Sequence, residues 1–415
     1  MAAKEIVQVI YAPHKVFKKI VQNPGYIGPF LLLIIFVLAQ VASNYVVTSR
    51  SYIETTTPQT VPLNLSQGDL WTENASFWHT KEGASISNNT YDYINATLAT
   101  TSIEFNAPEA NNIWMEINFN GSVRCSNDAF QNVSFKVKQV TPTTTPKNVS
   151  LYLYSLSDSY FYYDLTSEFT SNPSNQWLNI SITTGQDAEG WVSNLASWEN
   201  ITGLKLEFSW TETGNISLLI DRLFFKGDYK GILDVFGISY LAGPAFNAFA
   251  PFLAEWLLLS GLMYLMIKGF KGNVIWRPLM VAVGFSLIVI VIQTIILTAV
   301  YTALPILYYP LEALAGSQEE FQAAYQVILE IVSPVTLATA VVQAVSYVWT
   351  VVLGTFIVRA VTSDKKIAEQ VSMGATISDV PSSINTVGFG WMKCLLVSGV
   401  SLFATIIILA LFLGI

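Results

Sequence analysis

Gly25-Tyr-Ile-Gly-Pro-Phe-Leu-Leu-Leu-Ile-Ile-Phe-Val-Leu-Ala-Gln-Val-Ala-Ser-Asn-Tyr-Val-Val47 decides the architecture of this chain. From Leu31 to Val47 only Gln40, Ser43 and Asn44 interrupt the apolar residues. An α-helix rises about 1.5 Å per residue, so roughly 20 residues cross a hydrocarbon core about 30 Å thick. Lys4, Lys15, Lys18 and Lys19 precede the run, and a polar segment rich in Asn, Ser and Thr follows it. No small-residue cleavage site follows, so the run reads as an uncleaved signal anchor. Every later segment then falls on a definite side of a bilayer.

The composition agrees with that reading. The chain has 415 residues, of which only 12% are charged, and this suits a membrane protein with one sizeable polar domain. A net charge of −8 argues against a nucleic-acid partner, whose phosphates would be repelled. Cys125 lies in the polar segment and Cys394 at the start of the last apolar run. Expected on opposite sides of the membrane, they cannot pair, which excludes a disulfide framework and a cysteine-based zinc site.

Residues 1–26 form a basic leader. Ile6, Val9 and Ile10 recur at helical spacing, as do Phe17, Ile20 and Val21, and Pro13 between the sets predicts two short helices. Lys15, Lys18 and Lys19 mostly fall outside the apolar set. The leader is either an interfacial amphipathic piece or a solvated stretch.

Residues 48–230 read differently. Val133-Ser-Phe-Lys-Val137, Val149-Ser-Leu-Tyr-Leu153, Leu204-Lys-Leu-Glu-Phe208 and Ile216-Ser-Leu-Leu-Ile220 alternate or nearly alternate, separated by Gly, Pro, Asn and Thr clusters. That pattern predicts an all-β sandwich. The segment also holds ten Asn-x-Ser/Thr sequons, at Asn64, Asn74, Asn88, Asn95, Asn120, Asn132, Asn148, Asn179, Asn200 and Asn215. In Asn132-Val-Ser134, Asn148-Val-Ser150, Asn179-Ile-Ser181 and Asn215-Ile-Ser217 a strand would turn Asn and Ser to solvent and Val or Ile inward. The expectation is N-linked glycosylation, and with it an extracellular or lumenal placement.

Beyond 230 the apolar runs return. We expect an interfacial segment at 231–249 and spans at 250–267, 279–301, 335–358 and 392–415, which with 27–47 make five. Lysine and arginine concentrate in the leader, around Lys268, Lys271 and Arg277, and in the 359–391 loop at Arg359, Lys365 and Lys366, with Lys393 at its edge. The expected outer loop 302–334 has none, but carries Glu312, Glu319, Glu320 and Glu330. By the positive-inside rule the N-terminus is cytoplasmic and the C-terminus outside. The stretch 364–370 within the cytoplasmic loop reads as a partner-docking segment or a solvated helix and turn.

Catalytic chemistry is thinly represented. His14 and His79 are the only histidines, expected on opposite sides, and no nucleophile elbow, His-Glu-x-x-His motif or phosphate-binding loop occurs. Glu255 lies inside the second expected span, where an ionised carboxylate is costly. It reads as a proton or cation pathway, or as interhelical glue with Gln40, Asn44, Gln293 or Gln343.

Two resemblances follow. Ala12-Pro-His-Lys-Val-Phe-Lys-Lys-Ile-Val-Gln-Asn-Pro-Gly25, with Lys268-Gly-Phe-Lys-Gly272 and five spans, resembles the Yip-domain family of Ypt/Rab-interacting membrane proteins and its prokaryotic, archaeal-type relatives. The likeness covers 1–47 and 245–415; residues 48–230 are an insertion, and the eukaryotic Asp-Leu-Tyr-Gly-Pro segment is absent. Trp198-Glu-Asn-Ile-Thr-Gly-Leu-Lys-Leu-Glu-Phe208 and Ile216-Ser-Leu-Leu-Ile-Asp-Arg-Leu-Phe-Phe225 are similar to the end of a galactose-binding-like jelly roll, the fold of many carbohydrate-binding modules. That resemblance implies a structural calcium near Asp221, whose bland alternative is a pairing with Arg222 or a turn cap. It also implies sugar stacking on aromatics drawn from Tyr152, Tyr154, Tyr160, Tyr162, Trp177, Trp191, Trp198 and Trp210, about half of which alternation should bury.

The expected fold class is a membrane α-helical bundle of five transmembrane helices plus an extracellular all-β sandwich. The expected function is that of a non-enzymatic cell-surface glycoprotein, a scaffold or adaptor binding glycans or neighbouring envelope proteins. Its expected partners are the lipid bilayer, other membrane proteins and carbohydrate. The alternatives are a small transporter or channel using Glu255 and, last, a hydrolase of envelope polymers.

Overall fold

The computed structural model describes residues 2–59, 71–94, 100–156, 159–170, 174–315, 318–363 and 388–413. The chain divides into two compact units, each assembled from distant stretches. A helical unit comprises Met1–Arg50, Gly237–Pro305 and Ile331–Ile415, and a β unit comprises Ser51–Phe236 and Ile306–Glu330.

In the helical unit the leader forms α1 (Ala2–Tyr11) and α2 (Pro13–Gln22), with Pro13 in the first turn of α2, where its missing N–H costs nothing. Ile6, Val9, Val16, Phe17, Ile20 and Val21 are buried in one core with the long helices. The leader is therefore packed into this unit rather than solvated on all sides. The first long helix is α3 (Ile27–Thr48). The residues expected at an interface, 231–249, are largely helical: α5 (Ile232–Phe236), a short 3-10 turn, and then α6 (Ala242–Gly269). Gly243 and Pro244 fall in the first turn of α6, where the backbone donors have no intrahelical acceptor to lose.

The next run divides into α7 (Trp276–Ser286) and α8 (Ile288–Tyr301). The last two helices are α10 (Gln318–Thr362) and α11 (Trp391–Leu413). Among the described residues five helical stretches are long and apolar enough to cross a membrane: Ile27–Thr48, Ile238–Gly269, Trp276–Tyr301, Gln318–Thr362 and Trp391–Phe412.

Small residues set the approach of these helices. A Cβ on Gly354 of α10 would fall 2.1 Å from Ser398 Oγ of α11. Without it, Ser398 Oγ reaches across and donates to Val351 O at 2.9 Å. Trp256 of α6 donates from Nε1 to Met280 O at 2.7 Å, and its ring meets Phe30 of α3 edge-on at 5.8 Å.

The β unit is a sandwich built on two strands that serve both sheets, β4 (Ser102–Val123) and β10 (Ile201–Gly231). One sheet runs β2 (Trp78–Thr80), the second half of β4, the first half of β10, β6 (Asn148–Leu156), β7 (Ser159–Asp164) and β9 (Trp191–Asn194). The other runs β3 (Ser85–Asn89), the first half of β4, the later part of β10, β5 (Asn132–Thr141) and β8 (Trp177–Thr183). All these pairings are antiparallel. The strands change sheet at register shifts between Ser209 and Ile216 of β10, opposite Glu109 of β4, which holds φ +47°. Ile113, Met115 and Ile117 from one half of β4, and Ile103 and Phe105 from the other, meet in a single core.

The stretch 302–334, expected as an outer loop, is structured. Leu307–Tyr309 forms β11, parallel to β1 (Ser51–Thr57), which itself pairs with the end of β10. A helix α9 (Leu311–Ala315) follows, and α10 begins at Gln318. The acids that read as loop charge have partners in the β unit. Glu320 takes Arg222 at 2.8 Å and also Lys136, while Glu312 takes Lys226 at 2.6 Å. Glu54 of β1, buried, accepts the Leu311 amide at 2.8 Å.

Candidate functional site

The outward face of the six-stranded sheet gathers aromatic and charged side chains. Alternation buries Leu204, Leu206 and Phe208 of β10 and turns Lys205 and Glu207 the other way. In register, Lys205 faces Tyr152 of β6 on one side and Glu116 of β4 on the other. Tyr152 faces Tyr162 of β7, Tyr162 faces Val192 of β9, and Glu116 faces His79 of β2. One row therefore crosses the whole sheet: His79, Glu116, Lys205, Tyr152, Tyr162, Val192. The adjacent row carries Asn118, Gly203, Tyr154, Tyr160 and Asn194.

The contacts are close. Tyr152 lies 5.4 Å from Tyr162 and 5.6 Å from Tyr160, ring centre to ring centre. Lys205 Nζ sits 5.4 Å from the Tyr152 ring centre and 5.5 Å from that of Trp114, and 3.0 Å from Glu207. An ammonium over an aromatic face is held electrostatically and stays in place while half exposed. Gly203 is needed where it stands. A Cβ there would lie 3.1 Å from Ile117 O and from Asn118 Oδ1, and 3.3 Å from the Tyr154 ring. Burial, with the Glu116 charge behind it, holds the Tyr154 hydroxyl well above the usual phenol range. Burial, then Glu207, raises that of Tyr152. Tyr152 and Tyr154 are therefore neutral hydrogen-bonding groups at ordinary pH.

Of the eight aromatics singled out in the sequence, Tyr152, Tyr154, Tyr160 and Tyr162 share this face. Trp198 and Trp210 are core: Trp198 stacks on Phe161 at 3.7 Å, and Trp210 donates to Thr144 O. Trp191 is half-buried against Trp198 and donates to Thr183 O, while Trp177 lies on the other sheet near Lys138. Trp114, Glu116 and Lys205 were not singled out, although the phases of Ile113-Trp-Met-Glu-Ile117 and Leu204-Lys-Leu-Glu-Phe208 are the signals that place them; His79 was weighed only as a catalytic histidine.

Asp221 is 1% exposed, in β10, just before Arg222, which holds φ +56° at a bulge. Its Oδ2 accepts the Ile94 amide at 2.7 Å. Beside it lies Glu73, also buried, at the end of a short 3-10 turn (Trp71–Glu73). Glu73 meets Asp221 carboxyl to carboxyl, close to the Arg222 and Leu223 amides, but neither of its oxygens nor Asp221 Oδ1 makes a well-formed hydrogen bond among the described residues. Burial raises both carboxyls, Asp221 to about 6 and Glu73 further, since Glu73 also meets the Asp221 charge, whereas the Ile94 amide, Glu73 and the Arg222 charge all act to lower Asp221. Two buried carboxylates with orphaned oxygens fit a hard cation such as calcium, which takes only oxygen ligands. No group of three or more His, Cys, Asp or Glu suited to a metal occurs among the described residues. Any further ligands would be carbonyls, hydroxyls or water. The Arg222 charge acts to lower the Asp221 carboxyl, in line with the alternative of a pairing between them, while the Arg222 guanidinium also meets Glu320 at 2.8 Å.

The sequons are displayed on the β unit. Asn88, Asn148, Asn179 and Asn215 are exposed, and Asn74, Asn132 and Asn200 are half-buried. The middle residues Val133, Val149, Ile180 and Ile216 are all buried. Asn64 and Asn95 lie outside the described residues, as does the side chain of Asn120. In the helical unit, Asn44 donates to Gln40 O in its own helix and Gln343 to the Tyr347 hydroxyl. None of Gln40, Asn44, Gln293 and Gln343 hydrogen-bonds to Glu255 among the described residues. Cys125 and Cys394 are both buried and free, and burial pushes the Cys125 thiol up to about 12.

No family model matches the chain, the Yip-domain family included, and no curated protein matches it. Solved structures resemble part of it. A family 11 carbohydrate-binding module from Clostridium thermocellum, in complex with a β-1,3-1,4-mixed-linked tetrasaccharide, is 14% identical with a TM-score of 0.26, over 41% of this chain and 94% of that one. An exo-β-agarase is 13% identical with a TM-score of 0.29, over 37% of this chain and 23% of that one. A β-1,2-glucanase from Parabacteroides distasonis is 15% identical with a TM-score of 0.28, over 37% and 24%. The chain thus spans about a quarter of the two enzymes and nearly all of the binding module. The likeness stops at the layered β architecture.

Proposed function

We propose that the β unit binds extended carbohydrate chains on its outward sheet face, and that the protein is a non-enzymatic, multi-pass membrane glycoprotein that presents this face outside the cell. The observation that carries the proposal is the cross-sheet row itself. Four tyrosines, Trp114 and Lys205 share one face of six adjacent strands. Strands lie about 4.8 Å apart, so the row is about 24 Å long, room for several pyranose rings. Aromatic faces take the apolar faces of sugars, while the tyrosine hydroxyls, Glu116, Glu207 and Asn118 supply hydrogen bonds to hydroxyls.

In this reading the helical unit anchors the chain, with the basic ends of its helices in the cytoplasm and residues 48–230 outside. The exposed sequons would carry N-linked glycans. Glu73 and Asp221 would hold a calcium ion that neutralises two buried carboxylates and fixes the 3-10 turn at Trp71–Glu73 against β10. The Yip-domain resemblance of 1–47 and 245–415 adds the expectation of a scaffold or adaptor role.

The test is a glycan screen with the full chain in detergent, followed by titration of the best oligosaccharide against Tyr152→Ala and Tyr162→Ala. Each substitution should weaken binding roughly tenfold, about 1.4 kcal/mol. Trp177→Ala, on the other sheet, should leave affinity unchanged. Equal loss at Trp177, or none at either tyrosine, would remove the sheet face from the proposal.

A further inference from the structure

One end of the helical unit holds a cavity of about 410 Å³, lined by His14, Lys18, Phe356, Arg359, Ser363 and Trp391 among others. His14 and Lys18 stand one turn apart on α2, and Arg359 and Ser363 one turn apart near the end of α10. Trp391 opens α11. The Arg359 guanidinium lies 3.9 Å from the Trp391 ring centre, and the His14 ring 6.4 Å from that of Phe356. Two helices thus direct cationic and hydroxyl donors into one space whose remaining walls are aromatic.

Among the described residues no carboxylate pairs with Lys18 or Arg359. The described residues of the helical unit include two carboxylates, Glu5 and Glu255. Glu5 pairs with Lys19 at 2.8 Å, and Glu255 lies deep within α6. Like charges converging on one cavity repel each other, and an anion relieves that repulsion. Arginine's planar fork, stacked on an aromatic ring, matches the two oxygens of a phosphate; lysine adds a point charge.

The apolar walls point to the source of the phosphate. Leu395, one turn beyond Trp391 on α11, is 50% exposed, and Trp349, two turns before Phe356 on α10, is 40% exposed. An apolar track leads away from the cationic cavity along each helix. We propose that this cavity binds the phosphate head group of an anionic lipid, with the acyl chains lying along α10 and α11. Basic pockets between membrane helices on the cytoplasmic side are suited to such head groups. The inference rests on the reading that these helices span a bilayer.

The experiment uses the full chain, delipidated in a neutral detergent, with bound lipid counted by native mass spectrometry. The probes are phosphatidylglycerol, phosphatidylcholine of the same chain length, and inorganic phosphate. Phosphatidylglycerol should bind at least about tenfold more tightly than phosphatidylcholine. Arg359→Gln with Lys18→Gln should abolish that preference, and Lys15→Gln, outside the cavity, should leave it intact. Should the double variant not fold, Lys18→Gln alone, on an exposed position of α2, should still reduce the preference. Equal binding of the two lipids, or a preference that survives loss of Lys18 and Arg359, overturns the proposal. Inorganic phosphate competing as strongly as phosphatidylglycerol reassigns the cavity to a soluble anion and overturns the lipid. Alkaline extraction of native membranes tests the premise separately: release of the chain into the wash would overturn the bilayer reading, whatever the cavity binds.

Discussion

The two units treat charge in opposite ways. In the β unit the inward and edge cations have carboxylate partners: Lys136 and Arg222 with Glu320, Lys226 with Glu312, and Lys138 with Asp92 at 2.8 Å. In the helical unit Lys18 and Arg359 line a cavity with no described carboxylate in reach. The difference separates charges that tie elements of the fold together from charges that meet no described carboxylate. A paired cation ties elements together, whereas a cation left unpaired in a concave site has its counter-charge elsewhere. Glu73 and Asp221 are the acidic counterpart within the β unit, two buried carboxyls brought side by side.

Metal removal should break the comparison most sharply. With calcium at about a hundredfold over its Kd, the β unit should gain about 2.7 kcal/mol, and a chelator should remove it. Hydrogen exchange of β10 amides in the full chain would read the change, and Glu73→Gln should make exchange insensitive to calcium. Next in size is Glu320→Ala, which takes away a partner of both Lys136 and Arg222. Breaking a buried pair costs about 3–5 kcal/mol, and with Glu320 partly exposed we expect about 2, seen as lost protection in β5 and β10 but not in α11. Gly354→Ala should cost about 1–2 kcal/mol by forcing Ser398 off Val351 O. Its mark is a lower melting temperature of the helical unit with glycan binding unchanged.

The smallest expected effect is one of pH. Burial raises the Glu54 carboxyl above its ordinary range despite the Leu311 amide. The folded chain therefore holds this proton more tightly than the unfolded chain. The stabilisation is fully present below the unfolded value of the carboxyl and is lost as pH rises through the folded one. Protection of β1 and β11 amides should be greater near pH 4 than near pH 7, and Glu54→Gln should flatten that difference.

Much of this was legible in residue patterns. Apolar run length marked helices at all five positions, because a run of that composition has few other ways to satisfy its backbone. Period-two alternation marked the sandwich, and Val133, Val149, Ile180 and Ile216 turned inward as the sequons required. Pro13 separated the leader helices. The stretch 302–334 was not legible as part of the β unit, because β11 is three residues long and its partner β1 lies some 250 residues earlier in the chain. Glu73 escaped notice because a lone Glu carries no pattern. Only the packing of its turn on β10 brings it to Asp221.

Sequence by itself determined the kinds of element and their order, since hydrophobic period and run length are local properties that each segment satisfies within itself. It also determined which tyrosines could share a sheet face, through the phase of alternation. Tertiary structure decided which strands became neighbours, and so assembled His79, Glu116, Lys205, Tyr152 and Tyr162 into one row from five separate strands. It decided, too, that α2, α10 and α11 would enclose a cationic cavity. Register and helix packing join residues hundreds of positions apart, and their energies belong to the pairs rather than to any one segment of the chain.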